Sequence, residues 1–358
     1  MAFSQHHPMT SERPILSIGM PVYNAGKHLS GALASLLAQN FSDFRLFISD
    51  NASTDDTEAI CRHYAALDPR VDYRRNTGNI GAAANFNKVF ADSAPSTYFM
   101  WAAHDDAWHP DYVGRCIAAL EERPQAVLCV SEIEFIGQNG APALDIPPDI
   151  RNYNRVNTVG LDRRQRVKAL TERINWYAFY GVIRRDSLSS TALVRSCYGA
   201  DTLLLMELLL QGETLVLPEK LFSYRIEEKS AAMQVEALSG SAVPVSRVYT
   251  TLASDLLELA RPAGAEFVSD LLENITRGVW REQLINENSL QRYRAPELLA
   301  AEINLLVDRR LSVLQAWSIR TAAATRYVRN MPPVKSIKVR IKLALDGLGL
   351  KRWTFYPW

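Results

Sequence analysis

Two adjacent carboxylates, Asp105 and Asp106, close the run "YFMWAAHDDAW", with His104 before them and Trp108 and His109 after. An acidic pair on a turn beyond a buried strand suits a hard divalent cation. Mg²⁺ or Mn²⁺ takes oxygen ligands, keeps several waters and bridges one or two carboxylates to substrate phosphates. One aspartate can bind the ion while its neighbour orients water or a ribose hydroxyl. Adjacent aspartates also cap helices, and a helix is predicted to begin near Pro110. Taken alone, the two readings balance. Asp50 ends another apolar run, "FRLFISDNAS". It stands before the capping residues Ser53, Thr54 and Asp55, where a carboxylate can accept from a base N–H or a ribose hydroxyl. No G-x-x-x-x-G-K-[ST] or G-x-G-x-x-G cradle stands where a P-loop or dinucleotide fold needs one.

The elements that must position these acids follow from periodicity. Apolar strands are predicted in "PILSIGMPVYN", "FRLFISD", "VDYRRN", "TYFMWA" and "AVLCVSEIEFI", the last a strand or a hairpin. Helices are predicted in "GKHLSGALASLLAQN", "STDDTEAICRHYAAL", "NIGAAANFNKVFADS" and "HPDYVGRCIAALEE". Strands alternating with helices over 14–137 imply an α/β fold with a mainly parallel sheet, helices on both faces and ligands at the carboxyl ends of the strands. Those ends are polar: Tyr23-Asn24, Asp50-Asn51, Asn76 to Asn79, and Asp105-Asp106. Residues 138–160, rich in Pro, Gly, Asn and Asp, read as a long loop or lid. Beyond it "LDRRQRVKALTERI" and "ADTLLLMELLLQG" are helical, "WYAFYGVIRRDSL" leads from strand to helix, and "TLVLPEKLFSYRIEEKS" reads as two short strands.

At this point the chain resembles the family 2 glycosyltransferases of GT-A fold. The resemblance rests on P-x-Y-N in "PVYN", S-x-x-x-Q in "SLLAQ", "DNASTDDT", "NTGNIGAAANFNKVF" and "AHDDAW", with "FYGVIRRDSL" and "SYRIEEKS" downstream. It covers residues 14–230. It implies an inverting transfer of a sugar from a UDP- or dTDP-linked donor to a hydroxyl acceptor. By similarity Pro21, Tyr23 and Asn24 line the nucleotide pocket, Asp50 with Asn51 meets the base, and Asn79 and Asn85 lie beside the nucleotide. Asp105 stands near ribose, diphosphate and metal, Asp106 ligates the Mn²⁺ or Mg²⁺, and Arg225 holds the diphosphate. The general base is Asp201, with Glu207 as the fallback. Ala200 stands where many relatives carry Glu, and Glu227 where many carry His. His104 and His109 flank the acids and either reach the site or take a structural or solvent-facing role, and Trp101, Trp108 and Trp176 either stack on a sugar or fill core. A nucleotidyltransferase, or a GT-A-like protein that binds sugar nucleotide without turnover, is the alternative.

Organisation beyond the motifs is bounded by composition. The chain has 358 residues, 47% hydrophobic and 22% charged, with a formal net charge of +1, so it is globular and carries no global signal for nucleic acid. Its four cysteines form no C-x-x-C and read as reduced, cytosolic thiols. The opening 1–13 is polar, reads as flexible and lacks a signal-peptide stretch, and no run is apolar enough to span a membrane. The catalytic region of 14–230 is expected to divide into a nucleotide-binding half, 14–137, and an acceptor half, 138–230. Residues 240–330 read as helical. The basic tail 334–358 has an apolar helical stripe and terminal aromatics, which suits an anionic membrane surface as well as docking or homo-oligomer contact. The resemblance adds a glycan or lipid-linked acceptor and a cytoplasmic site, peripheral on the inner membrane face.

Overall fold

The computed structural model describes residues 13–143, 157–172, 176–197 and 199–226, with a few positions between 255 and 262. The chain divides into two units, Met1–Ser241 and Ala242–Trp358. The helical region expected over 240–330 falls almost wholly, and the tail and the opening segment essentially entirely, outside the described residues, as do Glu227 and positions 144–156 of the expected lid.

In the first unit β1 (Leu16–Val22), β2 (Phe44–Asp50), β3 (Val71–Arg75) and β4 (Tyr98–Trp101) are parallel, in the order β3-β2-β1-β4. Helices α1 (Leu29–Leu37), α2 (Thr57–Leu67) and α3 (Ala82–Asp92) make the crossovers. The central strand β1 is buried along its whole length, and its one polar side chain, Ser17, donates to the Ala94 carbonyl at 2.7 Å. The α1 side chains that face it, Leu29, Ala32, Leu33 and Leu36, recur at helical spacing. On the opposite face α3 approaches closely because position 19 has no side chain. A Cβ on Gly19 would stand 2.8 Å from both Val89 Cγ2 and Phe99 Cζ.

The sheet then departs from the parallel expectation. After the two-residue β5 (Ala107–Trp108), α4 (Tyr112–Glu122) and β6 (Ala126–Ile136) come α5 (Arg163–Glu172), a 3-10 turn (Trp176–Tyr180) and β7 (Val182–Arg184). Strand β7 lies antiparallel between β4 and β6. Helices α6 (Arg185–Ser189) and α7 (Ala200–Gln211) lead to β8 (Glu213–Arg225), parallel to β6. Residues 213–225 thus form one long strand where two short ones were expected. Its register against β6 slips near Ser131 and Glu132, which absorbs the break that Pro218 makes in the sequence pattern. The result is one mixed, eight-stranded sheet in the order β3-β2-β1-β4-β7-β6-β8-β5.

Register sets where the polar ends stand. Val22 is level with Asp50 and Asp50 with Arg75, so β1, β2 and β3 end together. Strand β4 stops earlier, at Trp101 opposite Gly19. Residues 102–106 therefore leave the sheet and cross above the ends. The Gly19 carbonyl accepts from Ala102 N–H at 3.0 Å. By the two-residue alternation of a strand, Pro21 faces the same side, where β4 has ended, and its missing N–H costs no ladder bond.

Candidate active site

Sequence expected Ser53, Thr54 and Asp55 to cap α2. Asp55 does so in part, its Oδ1 accepting from Thr57 N–H at 3.1 Å, but all three also lace the β2–α2 loop onto the β1–α1 loop. Asn24 N–H donates to Ser53 Oγ at 2.9 Å, while Asn24 Oδ1 accepts from Thr54 N–H at 2.8 Å. Gly26 N–H donates to Asp55 Oδ2 at 2.9 Å and Ala25 N–H to Thr57 Oγ1 at 2.8 Å. Asn24 takes the left-handed conformation, φ 49°, that this lacing requires. Tyr23 beside it is 47% exposed, unusual for so large an aromatic ring, and Pro21 is buried in β1.

Asp50 has no exposed surface. Its Oδ1 accepts from Ser53 N–H at 2.8 Å, and its Oδ2 accepts from the Tyr73 hydroxyl at 2.8 Å and from Arg75 at 2.9 Å. Burial alone pushes the carboxyl up, but the Ser53, Tyr73 and Arg75 bonds outweigh it and hold Asp50 below the usual range. The same bond, with burial as the larger cause, pushes the Tyr73 phenol up.

The asparagines form a second, amide network. Asn51, buried, donates to Asn79 Oδ1 at 2.8 Å and accepts from Ile80 N–H at 2.9 Å. Asn85, also buried, donates to the Ser49 carbonyl at 2.9 Å and accepts from Ser49 Oγ at 2.7 Å. Asn76 joins the two, donating to Asn51 Oδ1 at 3.3 Å and to Asn85 Oδ1 at 3.1 Å. These contacts shape the turn into α3, whose Gly81 has φ 87°.

Asp105 and Asp106 are parted in environment. Asp105 is half-buried and Asp106 is buried. Strand β5 pairs with Phe222 and Ser223 of β8, which brings the end of β8 alongside. Asp106 Oδ1 accepts from the Arg225 main-chain N–H at 2.8 Å. The Arg225 guanidinium donates to the carbonyls of Asp105 at 2.6 Å, Gly137 at 2.7 Å and Gln138 at 3.2 Å, so it braces the acidic turn. From α1, Ser35 Oγ accepts from Trp108 N–H at 3.2 Å. Gln39 donates to the His109 carbonyl at 2.7 Å and accepts from Val113 N–H at 3.0 Å. The serine and glutamine of the S-x-x-x-Q pattern thus hold the segment just after the two acids. Their four-residue spacing, one helical turn, is the signal that marks them.

Asp201 lies in the first turn of α7, after Gly199 at φ 71°. It accepts from Thr202 N–H at 2.7 Å, and burial raises its carboxyl above the ordinary value. Tyr180, which no sequence signal singled out, lies within reach of the charges of all three acids. Burial first, then the charges of Asp106, Asp105 and Asp201 among its neighbours, push its phenol well up. Glu207 faces elsewhere, accepting from Ala192 N–H at 2.9 Å and pairing with Arg195. That bonding makes it structural rather than a reserve base. Trp101 is fully buried, stacked on Phe179 at 4.6 Å, and Trp108 is 3% exposed, so both are core. His109 is exposed beside Asp111. Among the described residues no three of His, Cys, Asp and Glu converge as a metal cage, and none of the four cysteines is in a disulfide.

Residues 17–189 match the family described as glycosyl transferase family 2. They form a family 2 glycosyl transferase domain. An uncharacterised glycosyltransferase of Rickettsia typhi is 28% identical over 139 residues, 38% of this chain and 42% of that protein. TuaG of Bacillus subtilis, a glycosyltransferase named for teichuronic acid biosynthesis, is 29% identical over 134 residues, 37% of this chain and 52% of that protein. The chain thus spans about half or less of these relatives' length. The crystal structure of S. aureus TarS residues 1–349 in complex with UDP-GlcNAc superposes with a TM-score of 0.62 at 15% identity, over 93% of this chain and 89% of that one. The fold of this family 2 domain is GT-A. Among its described residues no helix is long and apolar enough to cross a membrane.

Proposed function

We propose that this chain transfers a sugar, with inversion, from a nucleoside-diphosphate donor to a hydroxyl acceptor in the synthesis of a cell-surface polysaccharide. The observation that carries the reading is that the Asp105–Asp106 turn stands beyond the ends of the parallel strands and is braced there by Arg225, whose main-chain N–H donates to Asp106 Oδ1 at 2.8 Å and whose guanidinium donates to the Asp105 carbonyl at 2.6 Å. An acid pair at the donor and a third acid, Asp201, for the acceptor are what the reaction needs. Asp201 takes the proton of the attacking hydroxyl, and its raised affinity for a proton favours that role. Tyr23, Asn24, Asn79 and Asp105 offer partly or largely exposed groups to the nucleotide at the strand ends. Asp50, Asn51 and Asn85 act from beneath by fixing the loops, and Arg225 acts by fixing the acidic turn.

Mn²⁺ or Mg²⁺ fits the donor set at Asp105 and Asp106, which is all oxygen and leaves coordination to be completed by substrate phosphates and water. When bound there, the ion would neutralise the charge that grows on the departing diphosphate. The UDP-GlcNAc bound by TarS makes UDP-sugars the first donors to try. The name of TuaG favours a surface-polysaccharide acceptor. We assign the basic tail 334–358 to contact with an anionic membrane, where a lipid-linked acceptor would be met.

The test is UDP release from UDP-GlcNAc, UDP-glucose and UDP-galactose in Mn²⁺ or Mg²⁺. At least one donor is expected to turn over. Asp106→Asn and Asp201→Ala are expected to lose about 10²-fold or more in rate. Asp201→Ala is expected to keep the rise in melting temperature that donor causes. Donor binding in the wild type without release of UDP would refute the reading and favour a sugar-nucleotide-binding protein.

A further inference from the structure

The segment between α6 and α7 leads into the turn that carries Asp201, and two helices grip it from different sides. From α3, the Asn87 amide engages both main-chain groups of a single residue. Its Nδ2 donates to the Val194 carbonyl at 2.9 Å, and its Oδ1 accepts from Val194 N–H at 2.9 Å. From α7, Glu207 accepts from Ala192 N–H at 2.9 Å and pairs with Arg195. Between the two grips Leu193 sits at φ 56°, a left-handed conformation that a leucine keeps only where its surroundings over-determine it. Asn87 also stands two residues beyond Asn85 on the same helix, and Asn85 is bound to Ser49 at the end of β2. A chain of contacts therefore runs from the strand ends, through α3 and Val194, to the segment that Glu207 of α7 also holds.

We propose that Asn87 is a positioning residue for sugar transfer: by clamping Val194 to α3 it sets the distance between Asp201 and a donor seated at the strand ends. The inference rests on the function proposed above. Without the clamp Leu193 can relax and the segment before Asp201 loses its reference to α3. The strand-end wall keeps its own bonds through Asn51, Asn76, Asn79 and Asn85. The loss should therefore fall on the chemical step and spare donor binding, because displacing a reacting group by about 1 Å costs on the order of 10²-fold in rate.

The test uses the full chain with Mn²⁺ and UDP-GlcNAc, or whichever UDP-sugar of the panel is turned over. For Asn87→Ala, kcat for UDP release is expected to fall about 10-fold or more. KM and the UDP-induced rise in melting temperature should stay within about twofold of wild type. Asn87→Asp keeps the acceptor for Val194 N–H but not the donor, and should show an intermediate kcat at unchanged KM. Wild-type kcat in Asn87→Ala overturns the proposal, as does a loss of UDP binding that matches the loss of kcat. If the alanine variant does not fold, the aspartate variant decides alone: reduced kcat at unchanged KM supports the proposal, and wild-type kcat overturns it. Asp201→Asn in the same assay separates the two readings. Turnover in that variant defeats Asp201 as the base. An inactive Asp201→Asn beside a fully active Asn87→Ala defeats only the role of Asn87.

Discussion

Burial raises the Asp201 carboxyl, and this has opposite consequences for activity and for stability. A base works only when ionised, so the rate should rise with pH through the raised value. The acid limb of the pH–rate profile is expected above the ordinary aspartate range. For the fold the sign reverses. A carboxyl that holds its proton more tightly when folded contributes stability at low pH, and that contribution is lost as pH rises through the folded value. At neutral pH the charged group is a burden, so Asp201→Asn should abolish turnover yet melt at a higher temperature than wild type; an equal or lower melting point would contradict this. Asp50 is the inverse case. Its carboxyl is held low, so its contribution is present above the unfolded value and lost as pH falls through the folded one. Tyr73→Phe removes one of its bonds and should cost about 1–2 kcal/mol in urea unfolding at neutral pH. That deficit should shrink in acid, and a constant deficit across pH would show that Tyr73 acts by packing instead.

At the scale of elements, α1 is the part that turns an apolar helix into a support for chemistry. One face packs beneath β1 through Leu29, Leu33 and Leu36, and the same turns carry Ser35 and Gln39 to the segment after Asp106. Gln39→Ala would leave the His109 carbonyl and Val113 N–H without these bonds. A loss of about 1–3 kcal/mol is expected, with a raised requirement for Mn²⁺ in UDP release. Unchanged metal dependence would confine Gln39 to stability. The strand-end positions of Asp50, Asn51, Asn79 and Asp105 were legible in sequence because period-two and period-3.6 patterns end at polar residues there. The antiparallel insertion of β7 was not, because the pattern in "WYAFYGVIRRDSL" shows that a strand forms and not which neighbours it pairs with. Nor was the lacing of Ser53, Thr54 and Asp55 onto Asn24, Ala25 and Gly26. Capping residues satisfy whichever N–H groups are nearest, and sequence alone favoured those of their own helix over those of a loop about thirty residues earlier.

For the molecule as a whole, the GT-A architecture and the family 2 motifs were readable because the motifs keep their order and most sit at a strand end, and the family match covers residues 17–189. What sequence could not supply was the identity of the partners across the sheet. Tyr180 drew no signal, because its place near three acidic charges depends on a 3-10 turn that aromatic residues alone do not announce. The basic tail makes a prediction at this scale. Full-length protein should sediment with vesicles containing about a third phosphatidylserine and release at high salt, as screening of surface charge requires. A chain ending at residue 333 should stay in the supernatant. Equal sedimentation of both would remove the tail from membrane contact.

The bond between Asp106 and Arg225 joins residues 119 apart in the chain. During synthesis, the first four strands and their crossovers emerge well before β8 does, and parallel pairing among them needs nothing downstream. The acidic turn is different, because its brace and the partner of β5 are among the last residues of the sheet to leave the ribosome. A nascent chain halted near residue 190 would hold a nearly finished strand-end wall beside an acid pair held only through Ser35 and Gln39. The ion binding proposed for Asp105 and Asp106 should therefore arrive late and abruptly, as the closing event of this unit's maturation.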